Sequence, residues 1–328
     1  MTDRPSLSVV IPTYNRSGFV RDCLRSLRHS GVPDLEIIVS DDGSTDDTAE
    51  VVAATDPAAV YLWQPNTGTP TTAKNKGFAV STGRYVGFLD CDDEWAAGAP
   101  AAAVGLLDRH PDVGLVFGDT LIGNDRDGRY SLNHRLGGDR FAGVPGSAPE
   151  PGFRVFDRTA FYRKVVERNQ WSVCAAILRR EVFEAAGGFD PAMREAEDWD
   201  LWLRVACRTN VGAMDAPLAR YYVHAGGMSR NAEERFARGF CQALRNALRR
   251  APLTAEQRTL IRSRLRGELF HLAYQAYDKG RFDDARERFA GALRAGNLHP
   301  RTAAYWLACH LPEPALRGIR GLKRGVSV

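Results

Sequence analysis

The sequence predicts an α/β protein, with a Rossmann-like, mostly parallel sheet flanked by helices and an all-helical extension behind it. In the first part of the chain, short apolar runs alternate with segments of helical periodicity. Polar loops follow three of these runs, and the last hundred or so residues show helical periodicity alone. Strands that alternate with helices form a mostly parallel sheet covered on both faces.

The alternation predicts the following elements in the first part. The strands are 7–11, 35–39, 60–63, 85–89 and 113–117. The helices are 19–27, one that begins after Ser44, 72–80 and 101–107. Ser44 precedes Asp47 by three residues, a spacing that predicts a capping box at the start of the second helix.

Composition is that of an ordinary soluble protein. With 328 residues, 44% hydrophobic and 26% charged, the chain can bury a substantial core, as one large domain with an appendage or as two domains. The longest apolar stretch, 96–107, contains glycine and proline and is too short to span a bilayer. Because the N-terminus has no basic segment followed by an apolar one, no signal peptide is predicted and cytoplasmic residence is the default expectation.

The six cysteines are widely scattered and form no C-x-x-C pair. Such spacing predicts free, mostly buried thiols rather than a disulfide framework or a zinc site.

Charge is distributed unevenly along the chain. Residues 229–328 contain 20 Lys and Arg against 9 Asp and Glu, a net charge of +11, whereas residues 1–228 carry −7. The expected organisation is therefore an acidic body (1–229) and a basic helical extension (230–328). A basic extension is expected to lie near something anionic: a membrane surface, a nucleic acid or the acidic body itself.

Three polar loops follow predicted strands: 12–15, 41–44 and 90–93. In sheets of this kind, the loops at the carboxyl ends of the strands carry the functional site. We therefore expect the three loops to converge at one edge of the sheet.

The loop Asp90-Cys91-Asp92-Asp93 concentrates carboxylates at the end of an apolar strand. One interpretation is an oxygen-ligand site for Mg or Mn that carries phosphates, and the other is an Asp-rich turn that caps the next helix. The glycine-rich loops of dehydrogenases and P-loop enzymes are missing, so acidic loops favour a nucleoside diphosphate linked to another group. Lys74 either contacts that diphosphate or is solvated on an exposed helix face.

Five ordered motifs resemble those of one known enzyme family. They are Ser8-Val9-Val10-Ile11-Pro12-Thr13-Tyr14-Asn15-Arg16, Val39-Ser40-Asp41-Asp42-Gly43-Ser44-Thr45-Asp46, Asn66-x-Gly68 with Ala73-Lys74-Asn75-Lys76-Gly77, Phe88-Leu89-Asp90-Cys91-Asp92-Asp93, and Gly187-Gly188-Phe189-Asp190 with Glu197-Asp198-Trp199-Asp200-Leu201-Trp202-Leu203-Arg204. With these residues, the chain resembles the inverting family 2 glycosyltransferases of GT-A fold over about residues 7–229.

The resemblance implies a nucleotide site in the first loops. Pro12 and Tyr14 would bind the nucleotide, with Tyr14 against the base. Asp42 would accept the imide hydrogen, which favours uracil or thymine. Asp90 would contact the ribose or support the metal shell.

The resemblance also implies a divalent metal, Mn or Mg, with Asp92 as the direct ligand in the D-x-D motif. Asp93 would belong to the same cofactor-binding loop. His224 would complete the metal shell, or it is a hydrogen-bonded structural residue. Arg230 would contact the phosphates.

Glu197 and Asp198 correspond to the family's E-D pair, in which the aspartate is the general base on the acceptor hydroxyl. A carboxylate can remove that proton as the hydroxyl attacks, and a single attack inverts the anomeric configuration. The structural alternative for Asp198 is an N-cap of a helix over 199–208, and both roles are compatible.

The implied activity is transfer of a sugar from a UDP- or dTDP-sugar to a hydroxyl of a saccharide, a lipid-linked saccharide or a small molecule. Polysaccharide, glycolipid and natural-product synthesis are the settings it implies, with no nucleic-acid partner. The alternatives are a catalytically idle GT-A scaffold that binds nucleotide or a protein through its helical tail, and a sugar-nucleotide pyrophosphorylase. The latter is disfavoured because its glycine-rich basic loop after the first strand is missing.

The segment 120–170 is rich in glycine and arginine and is expected to be a long irregular insertion that shapes the acceptor site. Trp171 and Trp202 either stack on a sugar or belong to the core.

The tail predicts helices over 235–249, 255–276, 282–295 and 302–311, with one tetratricopeptide-type pair. Packing against the catalytic domain or self-association through these helices is its expected use. The basic and apolar end, 315–324, adds an alternative of peripheral contact with the inner face of an anionic membrane.

Overall fold

The computed structural model describes residues 4–123, 130–132, 141–223, 233–312 and 314–316, with backbone only for 130–132. The chain separates into two compact units, Met1–Met228 and Ser229–Val328. Each unit is described by itself below.

A mixed sheet flanked by helices forms the first unit. Its strands are β1 (Leu7–Thr13), β2 (Leu35–Asp41), β3 (Val60–Trp63), β4 (Tyr85–Phe88), β5 (Asp93–Trp95), β6 (Val113–Gly123), β7 (Tyr130–Leu132), β8 (Gly146–Glu150), β9 (Phe153–Phe156), β10 (Ala176–Arg179) and β11 (Asn210–Tyr222). Its helices are α1 (Ser17–Leu27), α2 (Thr48–Thr55), α3 (Pro70–Val80), α4 (Ala99–Arg109), α5 (Arg158–Glu167), α6 (Arg180–Ala186) and α7 (Glu197–Val205).

The sheet has the order β3-β2-β1-β4-β10-β6-β11-β9-β8, with β5 on β11 and β7 on β6. The strands β3, β2, β1 and β4 pair in parallel, as predicted, and so do β6 and β11. The strand β10 runs antiparallel to both β4 and β6 and joins the two parts of the sheet. The α/β class is confirmed, and the second half of the sheet is more antiparallel than the alternation indicated.

The core of the first unit lies on both faces of β1. Leu7, Val9, Val10 and Ile11 have no exposed surface. The helix α1 buries Val20, Cys23, Leu24 and Leu27, whose three- and four-residue spacing lines one face of the helix. The helical periodicity in the sequence therefore marks the face through which α1 packs.

The helix α3 approaches the sheet closely through Gly77. A Cβ atom at this position would lie 2.4 Å from Cγ1 of Val10 on β1 and 3.4 Å from Cβ of Ser40 on β2. Only glycine permits this contact without displacement of the helix. Gly77 thereby fixes the depth at which α3 holds its other residues, including Lys74.

Two local predictions in this unit were wrong. No capping box begins the second helix, since its N-cap is Asp47, without a side-chain capping bond, and the hydroxyl of Ser44 accepts from the backbone N–H of Asn15 at 2.8 Å. The segment 120–170 is not irregular throughout, since β8, β9 and α5 occupy 146–167. Residues 124–129 and 133–140 lie outside the described residues.

Trp171 and Trp202 belong to the core, with 2% and 0% of their surface exposed. The ring of Trp171 stacks on Phe117 of β6 with centroids 4.5 Å apart and contacts Trp202 of α7 at 5.3 Å. The core interpretation of the two tryptophans is therefore correct, and direct stacking on a sugar is excluded in this arrangement.

The second unit is helical, as predicted, with α8 (Glu233–Arg250), α9 (Ala255–Asp278), α10 (Phe282–Arg294) and α11 (Pro300–Ala308). A capping box between Thr254 and Gln257 begins α9. Glu234 forms ion pairs with Arg238, Arg281 and Arg288, which lower the pKa of its carboxyl to about 2 against the opposing effect of burial. The tetratricopeptide-type resemblance of the α9 and α10 pair stays a prediction.

All six cysteines are free and buried, as the spacing predicted. Within the ranges described above, no helix is long and apolar enough to cross a membrane.

The close approach of α3 gives a first prediction. Gly77→Ala should destabilise the protein by about 1–3 kcal/mol, because the added methyl overlaps Val10. Gly105→Ala in α4 is the matched control, since its Cβ would meet only the flexible end of Arg109, at 3.1 Å. The control should be neutral or slightly stabilising. Urea unfolding followed by circular dichroism measures both, and an unchanged midpoint for Gly77→Ala would contradict the packing argument.

Candidate active site

The three polar loops converge at the carboxyl edge of β1, β2 and β4, as predicted. The backbone N–H of Asp42 donates to the carbonyl of Thr13 at 2.9 Å. The side-chain Oδ1 of Asn15 accepts from the backbone N–H of Thr45 at 2.7 Å. Asn15 adopts a φ of +50°, in the left-handed region that asparagine tolerates better than most residues. These bonds join the first two loops into one rigid rim.

The predicted nucleotide-binding residues lie on this rim. Pro12 is buried at the end of β1, and Tyr14 has 46% of its surface exposed. Asp42 is only 5% exposed, and its Oδ1 accepts from Nε2 of Gln64 at 2.6 Å and from Oγ1 of Thr67 at 2.9 Å. The carboxylate thus ties the loop after β3 to the end of β2.

The three aspartates after β4 have different environments. Asp90 faces Lys74, with Oδ1 at 3.2 Å from Nζ. Asp92 forms an ion pair with Arg16, which follows the first loop. Asp93 begins β5 and is 2% exposed, so it presents almost no surface for direct contact with a nucleotide. The helix-cap interpretation of this loop is wrong, because α4 begins later, at Ala99, with Gly98 as its N-cap.

Burial and neighbouring charge perturb two of these carboxyls. Burial, followed by the charges of Asp90 and Asp92, raises the pKa of Asp93 well above its usual value. Burial also raises the pKa of Asp90; Lys74 opposes this effect, and Asp92 and Glu197 add to it. Burial is thus the main reason that these two carboxyls bind protons more readily, and neighbouring carboxylates add to it.

Lys74 is fully buried and bridges two carboxylates. Its Nζ lies 3.2 Å from Oδ1 of Asp90 and 3.2 Å from Oε1 of Glu197, and 5.4 Å from the centre of the Phe189 ring. Burial lowers the pKa of Lys74, but the two carboxylates outweigh it and the pKa is raised. The solvated interpretation of Lys74 was wrong, because α3 presents this residue to the site and not to water.

The next residue of α3 holds the Gly187-Gly188-Phe189-Asp190 motif. The side-chain amide of Asn75 donates to the carbonyl of Phe189 at 2.8 Å and accepts from its N–H at 3.0 Å. Gly188 has a φ of +64°, and a Cβ there would lie 3.0 Å from Oδ1 of Asn75. The motif is thus a tight turn that Asn75 fixes against α3.

Glu197 and Asp198 lie in the first turn of α7. The helix begins at Glu197, and its N-cap is Ala196, a non-glycine residue at φ +58°. Asp198 is therefore not the N-cap of a helix over 199–208, although it keeps the predicted place at the positive end of a helix.

The carboxylate of Asp198 has two hydrogen-bond donors. Oδ1 accepts from the backbone N–H of Trp199 at 2.7 Å, and Oδ2 accepts from Nδ2 of Asn169 at 2.7 Å. Burial and then the charge of Glu197 raise the pKa of Asp198 to about 7, while Asn169, the Trp199 amide and Lys74 oppose the rise. Sequence reasoning missed Asn169, since a lone asparagine outside a motif carries no signal.

The arrangement fits a divalent cation in part. Asp90 and Asp92 present hard oxygen ligands of the kind that Mg and Mn prefer. No group of three or more potential metal-ligating side chains converges within the described residues. His224 and Arg230, the other predicted metal and phosphate contacts, lie outside the described residues.

Comparison with known proteins decides the family. The model of the glycosyl transferase family 2 matches residues 8–184, more than half of the chain. The chain belongs to glycosyl transferase family 2. This membership confirms the resemblance read from the motifs.

Curated relatives include a GalNAc(5)-diNAcBac-PP-undecaprenol beta-1,3-glucosyltransferase of Campylobacter jejuni, 37% identical over 131 residues, which are 39% of this chain and 41% of the relative. A PGL/p-HBAD biosynthesis glycosyltransferase of Mycobacterium bovis is 26% identical over 212 residues, 61% of this chain and 69% of the relative. The chain spans less than half the length of several of these relatives.

Solved structures share the fold at low identity. TarS 1-349 of S. aureus in complex with UDP-GlcNAc has a TM-score of 0.65 and 17% identity, covering 96% of this chain and 87% of that one. The mannosyltransferase PcManGT of Pyrobaculum calidifontis, in complex with GDP-Man and Mn2+, has a TM-score of 0.56 and 21% identity, covering 98% and 85%. The GT-A fold class is thereby confirmed.

The buried bridge gives a second prediction. Lys74→Met should destabilise the protein by about 2–3 kcal/mol at pH 8, because Asp90 and Glu197 lose their common cation. This is less than for a fully buried pair, since 37% of the Asp90 side chain is exposed. Lys76→Met, two residues along the same helix, removes only a half-buried lysine whose ammonium donates to the carbonyl of Trp63, and should destabilise the protein by no more than about 1 kcal/mol.

Urea unfolding of both variants is the measurement. Adding Glu197→Gln to Lys74→Met should recover part of the loss, because one uncompensated charge disappears. Equal midpoints for the wild type and Lys74→Met would show that the bridge does not stabilise the site.

Proposed function

We propose that the chain transfers a glycosyl residue from a nucleoside diphosphate sugar to an acceptor hydroxyl, with inversion at the anomeric carbon. The observation that carries the proposal is the position of Asp198. It lies in the first turn of α7, next to Glu197, which Lys74 joins to the D-x-D loop. A base for the acceptor and a loop for the donor's diphosphate thus belong to one cluster.

A UDP or dTDP donor is the favoured class. The backbone N–H of Asp42 donates to the carbonyl of Thr13, which precedes Tyr14. For the base to bind here, an oxygen of Asp42 that accepts from Gln64 or Thr67 in this structure would accept the imide N–H of uracil or thymine, while the base stacks on the exposed ring of Tyr14. The similar solved structures are complexes with UDP-GlcNAc and with GDP-Man, so the fold by itself is compatible with a pyrimidine base and with a purine base. The preference for a pyrimidine therefore rests on Asp42 in this chain.

Asp92, with Asp90 beside it, is the proposed holder of a divalent metal, and His224 is the proposed further ligand. Such a metal, when bound, neutralises the charge that develops on the departing nucleoside diphosphate. Arg16 and Lys74 hold the two carboxylates in place from the protein side.

Asp198 is the proposed general base. It takes the proton of the acceptor hydroxyl as the oxygen attacks the anomeric carbon, and the nucleoside diphosphate leaves with the bonding electron pair. Glu197 binds Lys74, which also pairs with Asp90, and thereby holds the start of α7 against the loop of residues 90–93, the proposed donor loop. A single displacement of this kind inverts the anomeric configuration.

The direct test is incubation of the protein with a panel of UDP-, dTDP- and GDP-sugars in the presence of Mn and simple saccharide or lipid-linked acceptors. We expect release of UDP or dTDP that depends on the acceptor, and NMR of the product should show the inverted anomeric configuration. Nucleotide binding without turnover across the panel would favour the idle-scaffold alternative.

The base assignment gives a third prediction. Asp198→Asn should lower kcat by about 10²–10⁴-fold, because the amide cannot accept the hydroxyl proton, while donor affinity stays near that of the wild type. Activity of the wild type should rise with pH through an apparent pKa of about 7, as the carboxyl loses its proton. Asp215→Asn, an exposed carboxyl on β11, is the control and should leave both properties unchanged. Transfer at the wild-type rate by Asp198→Asn would refute the assignment.

The metal assignment gives a fourth prediction. Asp92→Ala should reduce the thermal stabilisation that UDP produces in the presence of Mn, because the metal loses its direct ligand. Without metal, UDP should bind the variant at least as well as it binds the wild type, because the substitution removes a negative charge and releases Arg16 from its pair with Asp92. Asp22→Ala, an exposed acid on α1, is the control. Unchanged Mn-dependent stabilisation in Asp92→Ala would exclude Asp92 as the ligand.

A further inference from the structure

The segment 169–171 lies between α5 and a short 3-10 helix, Val173–Ala175, that precedes β10, and it contacts α7 at two points. Nδ2 of Asn169 donates to Oδ2 of Asp198 at 2.7 Å, and the ring of Trp171 contacts Trp202 at 5.3 Å. Asp198 and Trp202 are four residues apart on one face of α7. The segment is therefore anchored along the helix, with Asn169 opposite the carboxylate.

The neighbours of Asn169 hold it firmly in this position. The side-chain amide of Gln170 donates to the carbonyl of Lys164 at the end of α5, and Gln170 is 2% exposed. Trp171 stacks on Phe117 in the aromatic core. The backbone on the C-terminal side of Asn169 is thus fixed by packing and by a hydrogen bond, which restricts where its amide can point.

The other half of the Asn169 amide is unsatisfied. Its Oδ1 atom is buried and has no hydrogen-bond partner within the part of the chain that the structure describes. Because an unpaired buried acceptor costs free energy, the orientation of the amide is not explained by hydrogen bonding of its Oδ1 atom. Its orientation is accounted for by the donation to Asp198.

We propose that Asn169 is a positioning residue for the proposed base, holding Oδ2 of the ionised Asp198 through its N–H and accepting from the protonated Asp198 through its Oδ1. This inference rests on the proposed function. When Asp198 takes the proton of the acceptor hydroxyl, the carboxyl becomes a donor, and Nδ2 of Asn169 no longer matches it. Rotation of the amide about its Cβ–Cγ bond presents the free Oδ1 to the new O–H, so the same residue serves both protonation states without a further reactant.

The groups that face Asp198 shift its pKa in different directions. Glu197, on the same helix, raises the pKa of Asp198, and Lys74, on α3, lowers it. Asn169, on the connection after α5, and the backbone N–H of Trp199 also lower it. Asn169 is the neutral side chain among these, so its removal changes hydrogen bonding without changing the net charge of the site.

The test is a pH titration of Asp198 by carboxyl 13C NMR in the full-length protein, with the signal assigned by its loss in Asp198→Asn. Asn169→Ala should raise the pKa of Asp198 by about one unit, because the charge-assisted bond from Asn169 to the ionised carboxyl is stronger than the neutral bond to the protonated one, so the ionised form loses more. Asn169→Asp keeps the side-chain shape and should raise it further, since two carboxyls then share the site. Where transfer is measured, the alkaline shift of the kcat/KM profile should match the shift of the NMR titration.

Asn210→Ala is the matched control. Its amide also donates to an aspartate, Asp112, at 3.1 Å, but at an exposed position at the start of β11. This variant should leave the titration of Asp198 and the pH profile as in the wild type. A general effect of losing an asparagine–aspartate bond would appear in the control as well.

The outcomes separate this inference from the proposed function. An unshifted titration in both Asn169 variants would overturn the positioning role, even if the wild type transfers sugar and Asp198→Asn does not. A shifted titration in a protein that shows no transfer would support the positioning role and reject the proposed function. A loss of rate in Asn169→Ala that is the same at every pH would indicate a merely structural role and would overturn the inference.

Discussion

The site depends on one buried ammonium group. Lys74 joins Asp90, in the loop after β4, to Glu197, at the start of α7, with 3.2 Å from Nζ to each carboxylate. Glu197 lies 123 residues after Lys74 in the chain. A buried lysine stays charged only when carboxylates compensate for its lost hydration, and here two of them do. The donor loop and the helix of the proposed base are therefore coupled electrostatically.

The position of Lys74 follows from the way α3 packs. Gly77 lets the helix lie against β1 and β2 at a depth that a side chain would prevent. One residue after Lys74, Asn75 takes both backbone hydrogen bonds of Phe189 and holds the turn that precedes α7. One motif of α3 thus contains the glycine that allows close packing, Gly77, the buried charge, Lys74, and the hydrogen-bonding partner of Phe189, Asn75. Displacement of α3 would affect the donor loop and α7 together.

The sequence predicted the features that depend on local pattern. The strand and helix alternation from β1 to β4 and the convergence of the loops follow from periodicity and from the geometry of parallel strands, and both were confirmed. The antiparallel insertion of β10 between β4 and β6 could not be read in this way, because strand pairing at that distance is a tertiary property. Because residues 120–170 are rich in glycine and arginine, the strands β8 and β9 and the helix α5 were not predicted there.

Within the site, the motifs identified most residues but not their partners. Lys74 was predicted either to bind phosphate or to be solvated, since helical spacing alone does not show which face of α3 is buried. Asp93 was grouped with its neighbours in the motif, and only the fold shows that it begins β5 in the interior. Asn169 could not be found at all, because its significance lies in a contact with α7 that no spacing encodes.

The ion pair between Lys74 and Glu197 explains why the adjacent carboxyls of Glu197 and Asp198 have different environments. Lys74 binds Glu197, and the charge of Glu197, together with burial, raises the pKa of Asp198 to about 7. Two neighbouring carboxyls whose environments differ in this way can take different roles, one as a fixed charge and the other as a proton acceptor. A base with a pKa near the working pH is ionised in a useful fraction of molecules and still binds a proton well enough to assist attack. The ammonium group that holds Asp90 therefore also holds Glu197, whose charge raises the pKa of the proposed base.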